Sequence, residues 1–350
     1  MHALTFRQIG FAVVILLALV FSYGRADVFN MSADQTSLQF ITVGNPGNAM
    51  DTTGFGAVGY TYSIGKYEVT AGQYTEFLNA VAGTDTYGLY NIAMCDANGW
   101  LGCGIQRTVS QGTCTYSVGS DWANLPVNSI NFWNACRFAN WLHNGQPTGV
   151  QGPGTTEDGA YVSLGNETAF ARQPGARYWI PSEDEWYKAA YHKNDGVTGN
   201  YWDYPTKTNS VPSNDHLTPD QGNNANFQIS EGDYTIGGSY WRTPVGDFEN
   251  SDSPYGTFDQ GGNLWEWTDT AAAGAWRPLR GGSFDANLSS LIASSNRYLN
   301  DPATGYNIYG FRVAYVPEPS TLVLLDAVVV GLFSWVWWKR NWPRVGSVRG

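Results

Sequence analysis

Between two apolar ends, every helix signal in this 350-residue chain falls before Tyr191, and beyond it glycine, asparagine and aromatic residues punctuate the chain too densely for another. Thr70-Ala71-Gly72-Gln73 is a capping box, in which the threonine hydroxyl and the glutamine side chain each satisfy a backbone N–H of the other residue. Tyr74, Phe77, Leu78 and Val81 then recur at helical spacing, which predicts a helix to about Val81 with one buried face. A second helix is expected over 132–143, ending at Gly145, with Ala135, Phe138, Ala139 and Leu142 as its apolar stripe. Ser182 and Glu185 form another capping box for a third helix, whose Trp186, Ala189 and Ala190 face inward. Short strands are expected at 65–69, 263–267 and 309–314, and the Gly-, Ser- and Thr-rich stretch 83–121 reads as a long irregular excursion. Helices early and irregular β structure late predict an α+β domain, rich in loops and held by aromatic packing.

The two ends read as addresses. Arg7 precedes an apolar run from Ile9 to Phe21, and Gly24 and Ala26 come next at signal-peptidase spacing, so residues 1–26 are expected to be a cleaved export signal. At the other end, Val316-Pro317-Glu318-Pro319-Ser320 leads into an apolar stretch to Trp338 and then Lys339 and Arg340. That stretch can just cross a bilayer, with the basic pair on the cytoplasmic side, although Asp326 lies inside it. The order of these parts over 316–340 resembles the PEP-CTERM sorting signal of bacteria, which implies the cell envelope or surface as destination; a simple membrane anchor is the other reading. A short basic tail, 341–350, ends the chain.

The domain between, 27–315, holds 13 Lys+Arg against 28 Asp+Glu, a net charge of about −15. Such a surface repels nucleic acid and suits cations or basic partners. An exported domain permits disulfides among Cys95, Cys103, Cys114 and Cys136. Three of them share one Gly-rich loop, where a local staple is plausible, whereas Cys136 lies inside a helix and reads as an inert core thiol.

Six blocks in fixed order carry a family resemblance: GKYEVTAGQYTEFLNAV, LPVNSINFWNACRFANWL, RYWIPSEDEWYKAAY, GNLWEWTD, RPLRGGSF and GFRVA. Together they resemble the formylglycine-generating enzyme, or sulfatase-modifying factor, family over about Gly65 to Ala314. The resemblance implies a variant of the C-type lectin fold, often calcium-bound. Active members oxidise a sulfatase cysteine with Cu(I), held by two cysteines just after the RGGS block. Paired thiolates are soft ligands that select this ion. Here those positions fall on Ala286 and Leu291, and no cysteine occurs after Cys136, although Ser283 is retained. Neither catalytic residues nor copper are therefore expected, and the chain reads as a pseudoenzyme. The iron sulfoxide synthases that share the fold need histidine ligands that this chain does not group.

The resemblance also implies calcium held by Asp259, the carbonyls of Gly262 and Leu264, and Glu266. A second set would use the side chain and carbonyl at Asn226 and Phe227, with Asp233 as the nearest acid. Hard oxygens at short range, with glycines turning carbonyls inward, suit that ion. The 249–252 acidic loop reads as a solvated turn, and Arg280 and Arg312 as structural donors to buried carbonyls. Trp202, Tyr204, Tyr240 and Trp241 could line a groove for peptide or sugar. Three functions are compatible with these features: a non-catalytic, calcium-stabilised binding module for a peptide, glycan or envelope partner; a formylglycine-generating-type or other oxidoreductase acting on exported proteins; or a structural envelope component.

Overall fold

The computed structural model describes residues 38–316, apart from 97, 98 and 273. The expected export signal and the sorting signal from residue 317 onward lie outside the described residues. Among the described residues no helix is long and apolar enough to cross a membrane.

Both capping boxes are made. Helix α1, Ala71–Val81, starts with Gln73 N–H donating to Thr70 Oγ1 at 3.2 Å and Thr70 N–H to Gln73 Oε1 at 3.0 Å. A single turn, α2, spans Ser120–Ala123, and α3 spans Phe132–His143 behind an Asn131 cap. Helix α4, Glu183–Tyr191, begins at Ser182 and Glu185 in the same reciprocal way. After Tyr191 the described residues add only a 3₁₀ turn, Ser289–Ile292. The expected apolar faces form the core: Tyr74, Phe77, Leu78, Val81, Phe138 and Phe311 are all fully buried. The Phe138 ring sits 5.3 Å from both Phe77 and Phe311, edge-to-face in each case, an arrangement favoured by the ring quadrupoles.

Two four-stranded sheets organise the rest. The first has the order β1 (Phe40–Val43), β2 (Tyr62–Gly65), β12 (Ala314–Tyr315), β7 (Tyr178–Trp179), antiparallel throughout. The second runs β10 (Tyr298–Asn300), β9 (Arg277–Arg280), β8 (Trp265–Trp267), β11 (Tyr309–Gly310), with β11 parallel to β8. A small pair, β5 (Tyr161–Val162) and β6 (Ala171–Arg172), lies between α3 and β7 in sequence. Few helices, short strands and long connections make this the loop-rich α+β architecture that the sequence predicts.

Three local expectations are corrected. The strand expected at 65–69 ends at Gly65; the chain beyond it is held singly, by Val69 N–H to Phe311 O and Val127 N–H to Val69 O, both 2.9 Å. The excursion 83–121 contains a regular hairpin, β3 (Gln106–Ser110) and β4 (Thr113–Ser117), around Gln111 and Gly112. Both turn residues have positive φ, 51° and 78°, which matches the twist a two-residue hairpin needs. All of β3 is exposed, so it has no apolar alternation to give it away. The run 309–314 divides between the two sheets, and its middle, Phe311 to Val313, is fully buried between them.

The four cysteines are free thiols, Cys103 and Cys136 buried and Cys95 and Cys114 partly so, and no staple closes the Gly-rich loop.

Candidate functional site

The RGGS block turns sharply off β9. Gly281 and Gly282 have φ of 97° and 79°, and a Cβ on Gly282 would meet Ile292 Cγ2 at 2.6 Å, so only glycine fits. Gly281 O accepts from Gly262 N–H at 2.8 Å and Phe284 N–H donates to Asn263 O at 2.9 Å, which welds this turn to the segment before β8. Ser283 is buried and its hydroxyl donates to Asp285 Oδ1 at 2.6 Å.

Ala286 and Leu291 come next, in a small apolar cluster with Tyr204, Ala225, Phe227 and Ile292. At the two positions where the family resemblance expects thiolates, a methyl and an isobutyl group pack against carbon. Among the described residues no group of three His, Cys, Asp or Glu side chains could hold a metal ion.

The residues expected to hold calcium come together only in part. Gly262 pairs with Asn226 in a short parallel bridge, and a Cβ there would lie 2.1 Å from Asn226 O, so the backbone contact requires glycine. Asn226 Nδ2 donates to Trp241 O at 3.0 Å and to Asn263 Oδ1 at 3.1 Å, while its own Oδ1 is buried without a partner. Phe227 O accepts from Thr235 Oγ1 at 3.1 Å, and Asp233 is exposed. Asp259 Oδ2 accepts from Gly246 N–H at 2.7 Å, and burial raises its pKa to about 7.

Glu266 is fully buried and faces a different partner. Arg312 Nε donates to its Oε2 and Nη2 to its Oε1, both at 2.6 Å, and Trp186 Nε1 adds 2.8 Å to Oε2. Arg312 also donates to Gly65 O and Phe258 O, both at 2.9 Å, so it ties the first sheet to the second. Arg280 combines carbonyls with a carboxylate in the same manner, through Ser294 O at 3.0 Å and Glu183 Oε1 at 2.8 Å.

Sequence reasoning missed Glu68. It is buried beside this network, with Oε2 accepting from Asn263 Nδ2 at 2.9 Å and Oε1 from Leu264 N–H at 3.1 Å. Burial first, then the nearby Glu266 and Asp259 carboxylates, push its pKa well above the usual range. Its only sequence signal is a lone acid between Tyr67 and Val69.

The four aromatics expected to share a groove are dispersed. Tyr204 lies under Ala286, Trp202 carries Lys193 Nζ over its ring at 4.0 Å, and Tyr240 packs on Trp122 at 4.9 Å. Trp241 instead joins Trp100, Tyr234 and Phe284, with centroids 5.0 Å from Trp100 and 4.6 Å from Tyr234. Trp100 is 5.5 Å from Phe284, directly after Ser283, and remains 37% exposed beside the more exposed Leu101. The cluster is an aromatic platform beside the RGGSF turn. Beneath it Arg242 is fully buried, donating through Nη2 to Gly99 O at 3.3 Å and leaving Nε and Nη1 unpartnered. The 249–252 loop is less solvated than expected, because Ser251 is buried and its hydroxyl donates to Asp220 Oδ2 at 2.7 Å.

Comparison with known proteins finds several relatives. The inactive Cα-formylglycine-generating enzyme 2 of Bos taurus is 28% identical over 203 residues, 55% of this chain and 61% of that protein. The same protein of Mus musculus is 27% identical over 197 residues, 53% of this chain and 58% of its own length. The chain thus covers less than two thirds of these relatives. Among solved structures, CarF aligns with a TM-score of 0.47 at 20% identity, covering 80% of this chain and 99% of CarF. Treponema denticola variable protein 1 gives 0.48 at 18% identity, over 81% of this chain and 96% of that one. The family model for the sulfatase-modifying factor enzyme 1-like domain matches residues 49–316, so this chain belongs to that family.

Proposed function

We propose that this is a non-catalytic member of the family: an exported, envelope-anchored binding module for a peptide, glycan or envelope protein, stabilised by calcium. The observation that carries the reading is the filling of both cysteine positions by Ala286 and Leu291 within an apolar cluster. The curated relatives, themselves named inactive, point the same way. The platform of Trp100, Tyr234 and Trp241, seated on the buried Phe284, supplies the surface, since exposed aromatic faces contribute heavily to recognition. Calcium would neutralise part of the acidic domain and cross-link its loops. Its best support is the unpartnered, buried Asn226 Oδ1. Asp259, Gly262, Leu264 and Glu266 support it less, because Arg312 engages both oxygens of Glu266.

The test uses the full chain with a sulfatase-type CxPxR peptide and Cu(I). Mass spectrometry is expected to find no aldehyde product above the enzyme-free control; copper-dependent product would sink the inactive reading. Melting in calcium and in chelator tests the metal separately. Native-state binding raises stability by about 2.7 kcal/mol at one hundred times the dissociation constant. That difference should shrink in Asn226→Ala, and in Glu266→Gln if Glu266 is a ligand. A wild type indifferent to chelator rules calcium out.

A further inference from the structure

At the C-terminus of α4 one histidine joins three surface segments. His192 caps the helix, its N–H donating to Lys188 O at 3.1 Å, and the residue is fully buried. Its ring packs edge-on against Tyr201 at 5.1 Å and stacks on Tyr255 at 6.0 Å.

The two ring nitrogens meet groups that cannot exchange roles. Nδ1 receives the Asn194 backbone N–H at 3.2 Å, which can only donate, and Nε2 faces Thr198 O at 3.3 Å, which can only accept. The neutral ring with its proton on Nε2 is the one form that satisfies both. Tyr255 Oη lies 2.9 Å from Nδ1 and accepts from Asn45 Nδ2 at 3.2 Å, so its own hydrogen is free to point at the imidazole. Asn45 Nδ2 also donates to Asn194 Oδ1 at 2.8 Å, Asn194 Nδ2 to Pro254 O at 3.2 Å, and Ala49 N–H to Thr198 O at 3.2 Å. Segments 45–49, 194–201 and 254–255 therefore meet at this imidazole.

A second ring proton is poorly received. It would sit on Nδ1 against the Asn194 N–H, and the Tyr255 hydroxyl would have to turn around. Lys188, one turn earlier on α4, donates Nζ to Asn45 O at 2.9 Å; burial lowers its pKa to about 8, so it is charged wherever His192 could be. Asp195 pulls the other way from the 194–201 turn, but it is exposed and already accepts from Asn200 Nδ2 at 2.8 Å. Tyr201 and Tyr255, whose pKa values burial raises, stay neutral in acid. Burial, with Lys188 adding to it, holds the imidazole pKa below 6.5 against the opposing Thr198 O and Asp195. We infer that His192 is an acid-released latch: neutral, it holds the three segments on the end of α4, and protonation lets them go while the two sheets stay folded. Because the closed form has the lower pKa, the open form binds the proton more readily. The latch is fully stable above about pH 6.5 and weakens as pH falls below that value.

The experiment follows hydrogen exchange of the full 350-residue chain in non-ionic detergent by mass spectrometry, with rates corrected for the chemical pH dependence of exchange. Between about pH 7.5 and about pH 5, peptides over the three segments should lose protection by about tenfold or more, and those over the Phe132–His143 helix should lose none. His192→Gln keeps one acceptor and one donor and cannot titrate, so its segments should be equally protected at both pH values. If that variant does not fold, the wild-type contrast between the segments and the helix still decides. The latch is overturned if the segments keep their protection in acid, if the helix loses as much as they do, or if His192→Gln responds to pH as the wild type does.

Discussion

Among the arginine–glutamate pairs to which the second sheet contributes, Arg312–Glu266 and Arg277–Glu167 are completed to different degrees. In the first, both carboxylate oxygens receive guanidinium N–H groups at 2.6 Å, Trp186 adds a third donor, and both side chains are fully shielded. In the second, a single 3.0 Å bond joins the partners, one atom on each side stays unpartnered, and the Glu167 side chain is 25% exposed. Burying charge is tolerable only when the pair is fully satisfied. The first pair meets that condition and serves as a joint between sheets. The second keeps one unsatisfied polar atom on each partner.

The comparison breaks most visibly at Arg312. Replacing it with methionine strands Glu266 as an uncompensated buried carboxylate, with an expected loss of about 3–5 kcal/mol. Urea unfolding of Arg312→Met measures this directly. A loss under about 1 kcal/mol, the scale of an exposed pair, would mean that the joint is not closed as described.

Asp269 lies next to the incomplete pair, accepting from Tyr161 Oη at 2.9 Å and pairing with Arg172 Nε at 3.3 Å. Burial outweighs those partners and raises its pKa from 3.8 to about 6. The folded chain therefore keeps a proton that the unfolded chain gives up. The associated stability is present at acid pH and is lost as pH rises from about 4 to about 6. Asp269→Asn cannot titrate, so the stability difference between wild type and variant should change across that window and be flat above about pH 7. A difference that is flat throughout would show that the carboxyl titrates normally.

Glu167→Gln should have the smallest effect, below about 1 kcal/mol, because water and the retained amide oxygen compensate a partly exposed pair. A cost near that of Arg312→Met would make the second pair a structural joint as well and remove the distinction between them.

Much of the site is legible from local pattern. The capping boxes, the helical apolar faces and the RGGSF turn each depend on residues a few positions apart, so spacing reveals them. The absence of any cysteine after Cys136 can be read directly, because a missing functional group needs no geometry. The expected aromatic groove fails for the opposite reason. Trp202, Tyr204, Tyr240 and Trp241 lie in similar polar segments, but long-range packing puts Tyr204 in the cluster of Ala286 and Trp241 against Trp100.

The sequence alone therefore determined the three main helices and the α+β class, since backbone hydrogen bonding and side-chain periodicity are local. Tertiary structure alone decided that 309–314 splits between sheets, that Glu266 faces Arg312, and that Arg277 reaches Glu167. Those outcomes depend on which distant segments the sheets bring into register, and on charges choosing partners only once water has been excluded.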